Sequence, residues 1–223
     1  MLTTGKKFAL FSAMAGMVIV LDQLTKYKVR TDPSWQYVDL IPGWLGFHYT
    51  LNPGMAMGID VLTTPMVSMI SITAAMLILA YVVYSMKTAT TGFAVLMGLV
   101  MGGAFGNIID RIFLGPIQGF EGMLQGRVVD FIHFYYRIGD FDVFPYIFNV
   151  ADMAISVSLV TLIVFHKRFM PDPVHEAEQV PMNELEASLD PEDKPAVDMD
   201  AIRDEAGFPI DDPFGKKKDV GRT

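Results

Sequence analysis

The sequence predicts a mainly α-helical membrane protein with four transmembrane helices and a small β-sheet at the membrane interface. Of the 223 residues, 52% are apolar, and they are clustered into long runs, which is typical of membrane proteins. Several runs reach the roughly 20 residues that a helix needs to cross a hydrocarbon core of about 30 Å. Between the first two runs lies an aromatic-rich stretch with the alternation typical of short strands.

The first span is predicted at about residues 8–26. Two lysines precede an uncharged run from Phe8 to Leu21. A positive start before a short apolar core is also typical of cleaved signal peptides, but three further spans follow, so we interpret this run as a membrane helix. Asp22 and Lys26 lie four residues apart with the acid first, the favourable order for an ion pair on one helix face. The pair either eases insertion at the interface or lines the mouth of a site.

The stretch at residues 29–64 is predicted to lie outside the hydrocarbon core. Polar and apolar residues alternate around residues 35–49, which indicates short strands. The aromatic side chains in this stretch suit the interface between lipid and water. The sequence Asn52-Pro53-Gly54 predicts a turn.

The second and third spans are predicted at about residues 65–86 and 88–110, where two runs of 22 residues carry no charge. The link at Lys87 is short, so these helices are expected to be antiparallel neighbours. Glycines spaced four residues apart in the third helix allow another helix to approach closely. Gly98, Gly102 and Gly106 have this spacing, and Gly103 lies beside them.

A polar cluster ends the third predicted helix. Asn107 and Arg111 are four residues apart and share a face, and Asp110 is three residues from Asn107. The cluster is either a structural cap or a group that faces a substrate.

The fourth span is predicted at about residues 144–166, within an apolar run from Val143 to Phe165. The sequence divides there into a membrane domain, residues 1–170, and an acidic tail, residues 171–223, which holds 15 acidic and 6 basic residues. Its composition predicts disorder. Since the acidity belongs to the tail, it says nothing about what the membrane domain binds. Basic residues flank both ends of the spans, so they leave the orientation open.

Two aspartates lie in apolar surroundings. Asp152 falls inside the fourth predicted span, and an ionisable group there indicates function by default. It lies roughly 10 Å along the helix from Pro145, and Asp130 lies in the preceding loop on the same side of the membrane. Two neighbouring carboxylates hold one proton between them because both cannot ionise cheaply. Such a pair can activate a water while it protonates a carbonyl, as in aspartic proteases.

Other chemistries fit the residues less well. The chain has no cysteine, which excludes thiol nucleophiles and cysteine-based metal sites. His48, His133 and His166 are scattered and form no zinc motif, and no serine nucleophile motif is present. No basic stripe indicates nucleic acid, and no metal or cofactor is expected. A small proton-coupled transporter remains the alternative, because it also uses aspartates within the membrane.

Five motifs together resemble the lipoprotein signal peptidase (type II signal peptidase) family of integral-membrane aspartyl proteases. They cover about residues 8–168 and are DQLTK (Asp22–Lys26), NPGMAMG (Asn52–Gly58), GGAFGNIIDR (Gly102–Arg111), GRVVDFIHF (Gly126–Phe134) and FNVADMAIS (Phe148–Ser156). The resemblance implies that Asp130 and Asp152 are the catalytic pair. It implies supporting roles for Asp22, Lys26 and Asp110. The positions that line the substrate and inhibitor pocket of the family are matched by Asn52, Gly54, Asn107, Arg111 and Asn149.

The resemblance also implies a substrate and a location. The family removes the signal peptide of a diacylglyceryl-modified prolipoprotein by cutting before the lipid-modified cysteine. It acts at the outer face of the bacterial inner membrane, with cytoplasmic termini and with the sheet forming a cradle on the non-cytoplasmic side. The expected partners are prolipoproteins, membrane lipid and inhibitory cyclic peptides of the globomycin type.

Three features depart from the family pattern. Met55 and Met57 stand where the family often has alanine and an aromatic residue, so the pocket shape is expected to differ there. Residues 114–125 look like an insertion that lengthens a loop near the site. The acidic tail has no counterpart in the resemblance.

Overall fold

The computed structural model describes residues 2–54, 62–120, 122–135, 137–139, 141–142 and 146–169. The acidic tail, Met55 and Met57 lie outside the described residues, and the division at residue 170 stays a prediction. The elements in chain order are α1 (Thr4–Thr31), β1 (Tyr37–Ile41), β2 (Leu45–Asn52), α2 (Thr64–Ser85), α3 (Thr91–Phe113), β3 (Val128–Phe134), β4 (Arg137–Ile138), β5 (Phe141–Asp142), β6 (Ile147–Phe148), α4 (Val150–Val164) and α5 (His166–Phe169).

Three helices within the described ranges, α1, α2 and α3, are long and apolar enough to cross a membrane. Together with the small antiparallel sheet, they confirm the mainly helical class, and each of them overlaps one of the first three predicted spans. The predicted first span ends too early, because α1 continues through Lys28 and Arg30 to Thr31. Cations in the last turn of a helix interact favourably with its dipole, so these charges do not end it.

The predicted start of the fourth span is wrong. Helix α4 begins at Val150 and has 15 residues, because Ile147 and Phe148 pair with β3 and Asn149 caps the helix. A short apolar run fits a buried strand as well as a helix, so the sequence alone could not separate β6 from α4.

The glycines of α3 allow α1 to pack directly against it. A Cβ atom on Gly98 would lie 2.6 Å from the carbonyl oxygen of Phe11, and one on Gly102 would lie 2.7 Å from that of Ala15. Real Cβ atoms do not approach backbone this closely, so any side chain at these positions would force the helices apart. The predicted role of this spacing in packing is confirmed.

Two further glycines of α3 serve the contacts around the polar cluster. A Cβ atom on Gly103 would lie 2.5 Å from the carbonyl oxygen of Ala151 in α4. One on Gly106 would lie 2.7 Å from Oδ2 of Asp22 in α1. Helix α3 therefore lies between α1 and α4 at the level where the charged residues meet.

The main sheet has the order β1-β2-β3-β6 with antiparallel pairing throughout. The two strands expected between the first two spans are β1 and β2, so that prediction is confirmed. In the register of β2 with β3, Thr50 lies opposite Asp130 and Asn52 lies opposite Val128. The pairing of β3 with β6 brings the start of α4 to the same strand.

The close packing of α1 on α3 predicts a contrast between two Gly→Ala substitutions. Gly102→Ala should lower the apparent melting temperature in detergent, because its methyl group would meet the Ala15 backbone, and overpacking of this kind costs about 1–3 kcal/mol. Gly16→Ala is the matched control, since a Cβ atom there has no neighbour within 4 Å. It should be neutral or slightly stabilising because alanine favours the helix. Equal melting temperatures for the two variants would contradict the packing account.

Candidate functional site

The two aspartates expected to work as a pair are both bound by one residue, Asn149. Its Nδ2 atom donates a hydrogen bond of 2.6 Å to Oδ1 of Asp130. Its backbone N–H donates to Oδ2 of Asp152 over 3.2 Å. Asp130 comes from β3 and Asp152 from α4, and Asn149 lies between the two elements and is fully buried. The structure therefore brings the two carboxylates to the two sides of a single residue.

The position of Asp152 follows from the way α4 begins. Asn149 is the N-cap, and its Oδ1 accepts a hydrogen bond of 3.0 Å from the backbone N–H of Asp152. The Asp152 carboxylate accepts in return from the Asn149 backbone, which completes a capping box. This reciprocal arrangement satisfies two of the amides that a helix start leaves without partners. It also fixes the Asp152 side chain at the entrance of the helix.

Asn107 of α3 bridges the same groups from the other side. Its Nδ2 donates to Oδ1 of Asp152 over 2.8 Å, and its Oδ1 accepts from Nδ2 of Asn149 over 3.1 Å. The same Oδ1 accepts from Nζ of Lys26 over 2.9 Å. Since an ammonium group has no acceptor atom, the oxygen of the Asn107 amide must face Lys26 and its NH₂ must face Asp152.

Lys26 is buried and uses all three of its donors. Besides Asn107, it pairs with Asp22 at 2.8 Å and with Asp110 at 2.9 Å. A buried charge is stable only where partners replace its water, and three oxygens do so here. The ion pair expected from the DQLTK motif is therefore formed, and both of its side chains are buried.

The two acids that hold Lys26 also tie α1 and α3 to the elements of the site. Asp22 accepts from the backbone N–H of Ala151 at 3.0 Å. Asp110 accepts from the backbone N–H of Val129 at 3.1 Å. These two amides belong to residues directly before Asp152 and Asp130. The charged cluster therefore positions the backbone that carries both aspartates.

Sequence reasoning missed Gln23 as a member of this cluster. Its Nε2 donates to Oδ1 of Asp110 and to the carbonyl oxygen of Gly106, each over 3.0 Å. It belongs to the quoted DQLTK motif, which was a usable signal. Its neighbours Asp22 and Lys26 form a charge pair that is visible from spacing alone, whereas two of the partners of Gln23, Gly106 and Asp110, lie on α3.

The turn after β2 supplies the remaining predicted residues. Asn52 donates from Nδ2 to Oδ2 of Asp130 over 2.9 Å, and its Oδ1 accepts from the backbone N–H of Gly54 over 2.8 Å. Gly54 has a φ angle of +101°, which strongly favours glycine. Arg111, also buried, donates to the carbonyl oxygen of Pro53 over 3.3 Å. The structure thus gathers all the predicted site residues into one connected region.

The surroundings of Asp130 change its acidity. Asp130 is 2% exposed, and burial together with the nearby charge of Asp152 raises its pKa to about 7. Hydrogen bonds from Asn52 and Asn149 act in the opposite direction, since they stabilise the carboxylate. Asp130 is therefore the member of the pair that is suited to carry a proton near neutral pH.

Asp152 faces an open groove of about 290 Å³. The other residues that line the groove are mostly apolar and are Tyr146, Phe148, Met153, Ser156 and Val157. A chain segment in this groove would contact a carboxylate on one side and an apolar surface on the other.

No cluster of three metal-ligating side chains occurs among the described residues. The histidines that look scattered in the sequence are partly brought together, because the rings of His48 and His133 lie 5.8 Å apart on neighbouring strands. They pack with aromatic side chains of the sheet, as Tyr37 does on His48 with 5.0 Å between the ring centroids.

Comparisons with known proteins agree on one family. A family model described as signal peptidase (SPase) II matches residues 14–168. A lipoprotein signal peptidase from Chlorobium phaeobacteroides (strain BS1) is 41% identical over 170 residues, which cover 72% of this chain and 97% of that protein. One from Bifidobacterium longum (strain DJO10A) is 27% identical over 187 residues, covering 83% and 92%. A bacterial membrane enzyme solved by the in meso method at 2.3 Å resolution matches with a TM-score of 0.52 and 30% identity, covering 70% of this chain and 86% of that one.

Two substitutions at Asn149 should separate its two structural roles. Asn149→Ser keeps an N-cap oxygen but removes the amide that reaches Asp130, whereas Asn149→Ala removes both. Loss of a cap costs about 0.5–2 kcal/mol, so the alanine variant should melt below the serine variant in detergent. Both should melt below wild type, because a buried polar group loses its partner. Identical melting temperatures for the two variants would show that the cap contributes nothing to stability.

Proposed function

The chain belongs to the signal peptidase II family, and we propose that Asp130 and Asp152 are the two carboxylates with which it cuts its substrate. It is a membrane-embedded protease that removes signal peptides from prolipoproteins. The transporter alternative is not favoured, because the family and the matched relatives are peptidases. The observation that carries the assignment is the position of Asn149, which binds both carboxylates through its side chain and its backbone.

The two aspartates divide the chemistry between them. Asp152, which faces the groove, takes a proton from a water as the water oxygen attacks the scissile carbonyl carbon. Asp130, whose pKa is raised to about 7, gives its proton to the carbonyl oxygen. When the tetrahedral intermediate collapses, the C–N bond breaks and the leaving nitrogen takes the proton held by Asp152. The hydroxyl proton of the intermediate returns to Asp130. The cycle needs no metal or cofactor.

Lys26, with its partners Asp22 and Asp110, has a supporting role in this chemistry. The ammonium group fixes the oxygen of the Asn107 amide, so that the NH₂ group donates to Asp152. That hydrogen bond holds the Asp152 carboxylate in place beside the groove.

The substrate is a diacylglyceryl-modified prolipoprotein that is cut before its lipid-modified cysteine. The apolar groove beside Asp152 supports this proposal, because it lets a lipid-linked residue approach the carboxylate from the membrane side. Asn52, Gly54 and Arg111 form the turn next to Asp130, and we assign them to the peptide backbone of the substrate. Asn107 and Asn149 complete this pocket, and cyclic peptides of the globomycin type occupy the same space.

The proposed topology has four spans, cytoplasmic termini and an active site at the outer face of the bacterial inner membrane. In support, Lys7 near the start of α1 donates to the carbonyl oxygens of Met86 and Ala89, which puts the chain start and the α2–α3 link at one end of the bundle. The sheet and both aspartates lie at the other end. Although α4 is short, its outer side chains such as Val160 and Ile163 are exposed apolar groups that suit lipid contact.

Asp130→Asn and Asp152→Asn should each reduce cleavage by at least ~10²-fold, because each removes a proton acceptor or donor from the reaction. The measurement is a gel-shift assay with a diacylglyceryl-modified prolipoprotein and purified enzyme in detergent. Asp39→Asn is the matched control, since it makes the same change at an exposed position of the same sheet and should cleave normally. Substantial cleavage by either site variant, with a melting temperature near that of wild type, would remove that residue from the pair.

The pH dependence of kcat/KM should have an alkaline limb near the Asp130 pKa of about 7, since activity falls when the proton needed by the carbonyl is lost. Asn52→Ala should move this limb to higher pH. The Asn52 hydrogen bond stabilises the carboxylate and lowers its pKa, so its removal raises the pKa and keeps the proton in place at higher pH. A limb that moves to lower pH, or does not move, would contradict the assignment of the proton to Asp130.

A further inference from the structure

A second groove lies along α1 and is separate from the groove at Asp152. Its volume is about 410 Å³, and none of its lining residues lines the groove at Asp152. Ile19, Leu24, Tyr27 and Arg30 line it along α1. Leu114, directly after α3, and Val129 of β3 close it. We call it the α1 groove. Most of its wall is apolar, and one end carries the guanidinium group of Arg30.

Arg30 lacks a partner for part of its charge. Its Nη1 atom is buried, and no hydrogen-bond acceptor within the described ranges reaches it. The ring of Tyr27 lies 5.9 Å from the guanidinium carbon, which offers a weak cation–π contact in place of an anion. Arginine cannot lose its charge, and a buried donor without a partner costs free energy. Arg30 forms no ion pair within the described ranges, so the part of its guanidinium group that lines the groove fits a bound anion.

In the proposed topology, the Arg30 end of the α1 groove lies near the membrane interface. Arg30 is at the sheet end of α1, where Gln36 of the following turn donates to its carbonyl oxygen. Tyr27 and Trp35 are exposed there, as aromatic residues of the membrane interface commonly are. From Arg30 the groove extends towards the membrane interior for roughly 16 Å, the length of the helix back to Ile19. The cation at one end of the groove matches the phosphate of a phospholipid, and the apolar wall below it matches the acyl chains.

We propose that the α1 groove binds one membrane glycerophospholipid, with a phosphate oxygen on the part of the Arg30 guanidinium group that lines the groove and an acyl chain along Ile19 and Leu24. The guanidinium fork matches phosphate geometry and is the common choice for phosphate recognition. Leu24 is 61% exposed, so the described residues leave most of its side chain uncovered. An acyl chain in the groove would cover this side chain. Lys26 and Asp110 lie at the back of the same groove, so the lipid would cover the outer side of the cluster that supports the aspartates.

The test is native mass spectrometry of the full chain, released from detergent after incubation with phosphatidylglycerol. Wild type should retain one lipid per chain, and Arg30→Gln should retain it at least ~10-fold less, since it loses the charge-assisted contact. Lys28→Gln is the matched control, because Lys28 is an exposed cation two residues away that pairs with Asp32 at 2.7 Å. It should retain lipid as wild type does. Melting temperatures measured without added lipid establish that each variant is folded.

Two further probes identify the occupant. Diacylglycerol, which lacks the phosphate, should bind wild type at least ~10-fold more weakly than phosphatidylglycerol, and inorganic phosphate alone should not compete with it. Equal retention of phosphatidylglycerol by Arg30→Gln and wild type would overturn the proposal, and so would equal binding of diacylglycerol. Competition by inorganic phosphate would show that the α1 groove binds a simple anion and not a lipid. None of these readings depends on cleavage, so they stand apart from the assignment of the aspartates.

Discussion

The structure depends on a buried chain of hydrogen bonds that runs from Lys26 through the amides of Asn107 and Asn149 to the two aspartates. Two carboxylates close together repel each other, and in an interior of low dielectric constant the repulsion is large. Amide donors on both acids and a proton on Asp130 reduce it. Because Lys26 can only donate hydrogen bonds, it fixes which atoms of the two amides donate and which accept along this series. The hydrogen bonds thus connect a buried cation on α1 with both aspartates.

This chain of contacts in turn requires the close packing of the helices. Gly106 lets Asp22 approach α3, and Gly103 lets the start of α4 approach from the other side. With any larger side chain at these two positions, the charged residues of α1 and the aspartate of α4 could not share partners on α3. Membrane helices gain little from hydrophobic burial against one another, so small residues and polar contacts hold them together. Packing and site chemistry therefore rest on the same residues of α3.

Much of the fold and of the candidate site could be predicted from the sequence, and the predictions that failed did so for physical reasons. Uncharged runs of residues predicted three helices, and the alternation of polar and apolar residues predicted β1 and β2. The surroundings of a membrane helix and of a half-buried strand impose these patterns on the sequence. The start of α4 was missed, since Ile147 and Phe148 are as apolar as the helix that follows. The apolar sequence around Asp130 and Asp152 indicated that they are functional residues. The hydrogen bonds that link them through Asn149 could not be predicted, because they depend on the pairing of β3 with β6. Arg30 gave no signal, because its missing partner becomes visible only once the neighbouring elements are in place.

The most direct test of the account is the proton on Asp130. Infrared difference spectra of the folded protein in detergent, recorded between about pH 5 and about pH 9, report the C=O band of a protonated carboxyl group. With the Asp130 pKa raised to about 7, wild type should show such a band that titrates near neutral pH, and Asp130→Asn should lack it. If the band is absent from wild type at neutral pH, or persists unchanged in Asp130→Asn, then Asp130 does not hold the shared proton and the division of roles between the two aspartates is wrong.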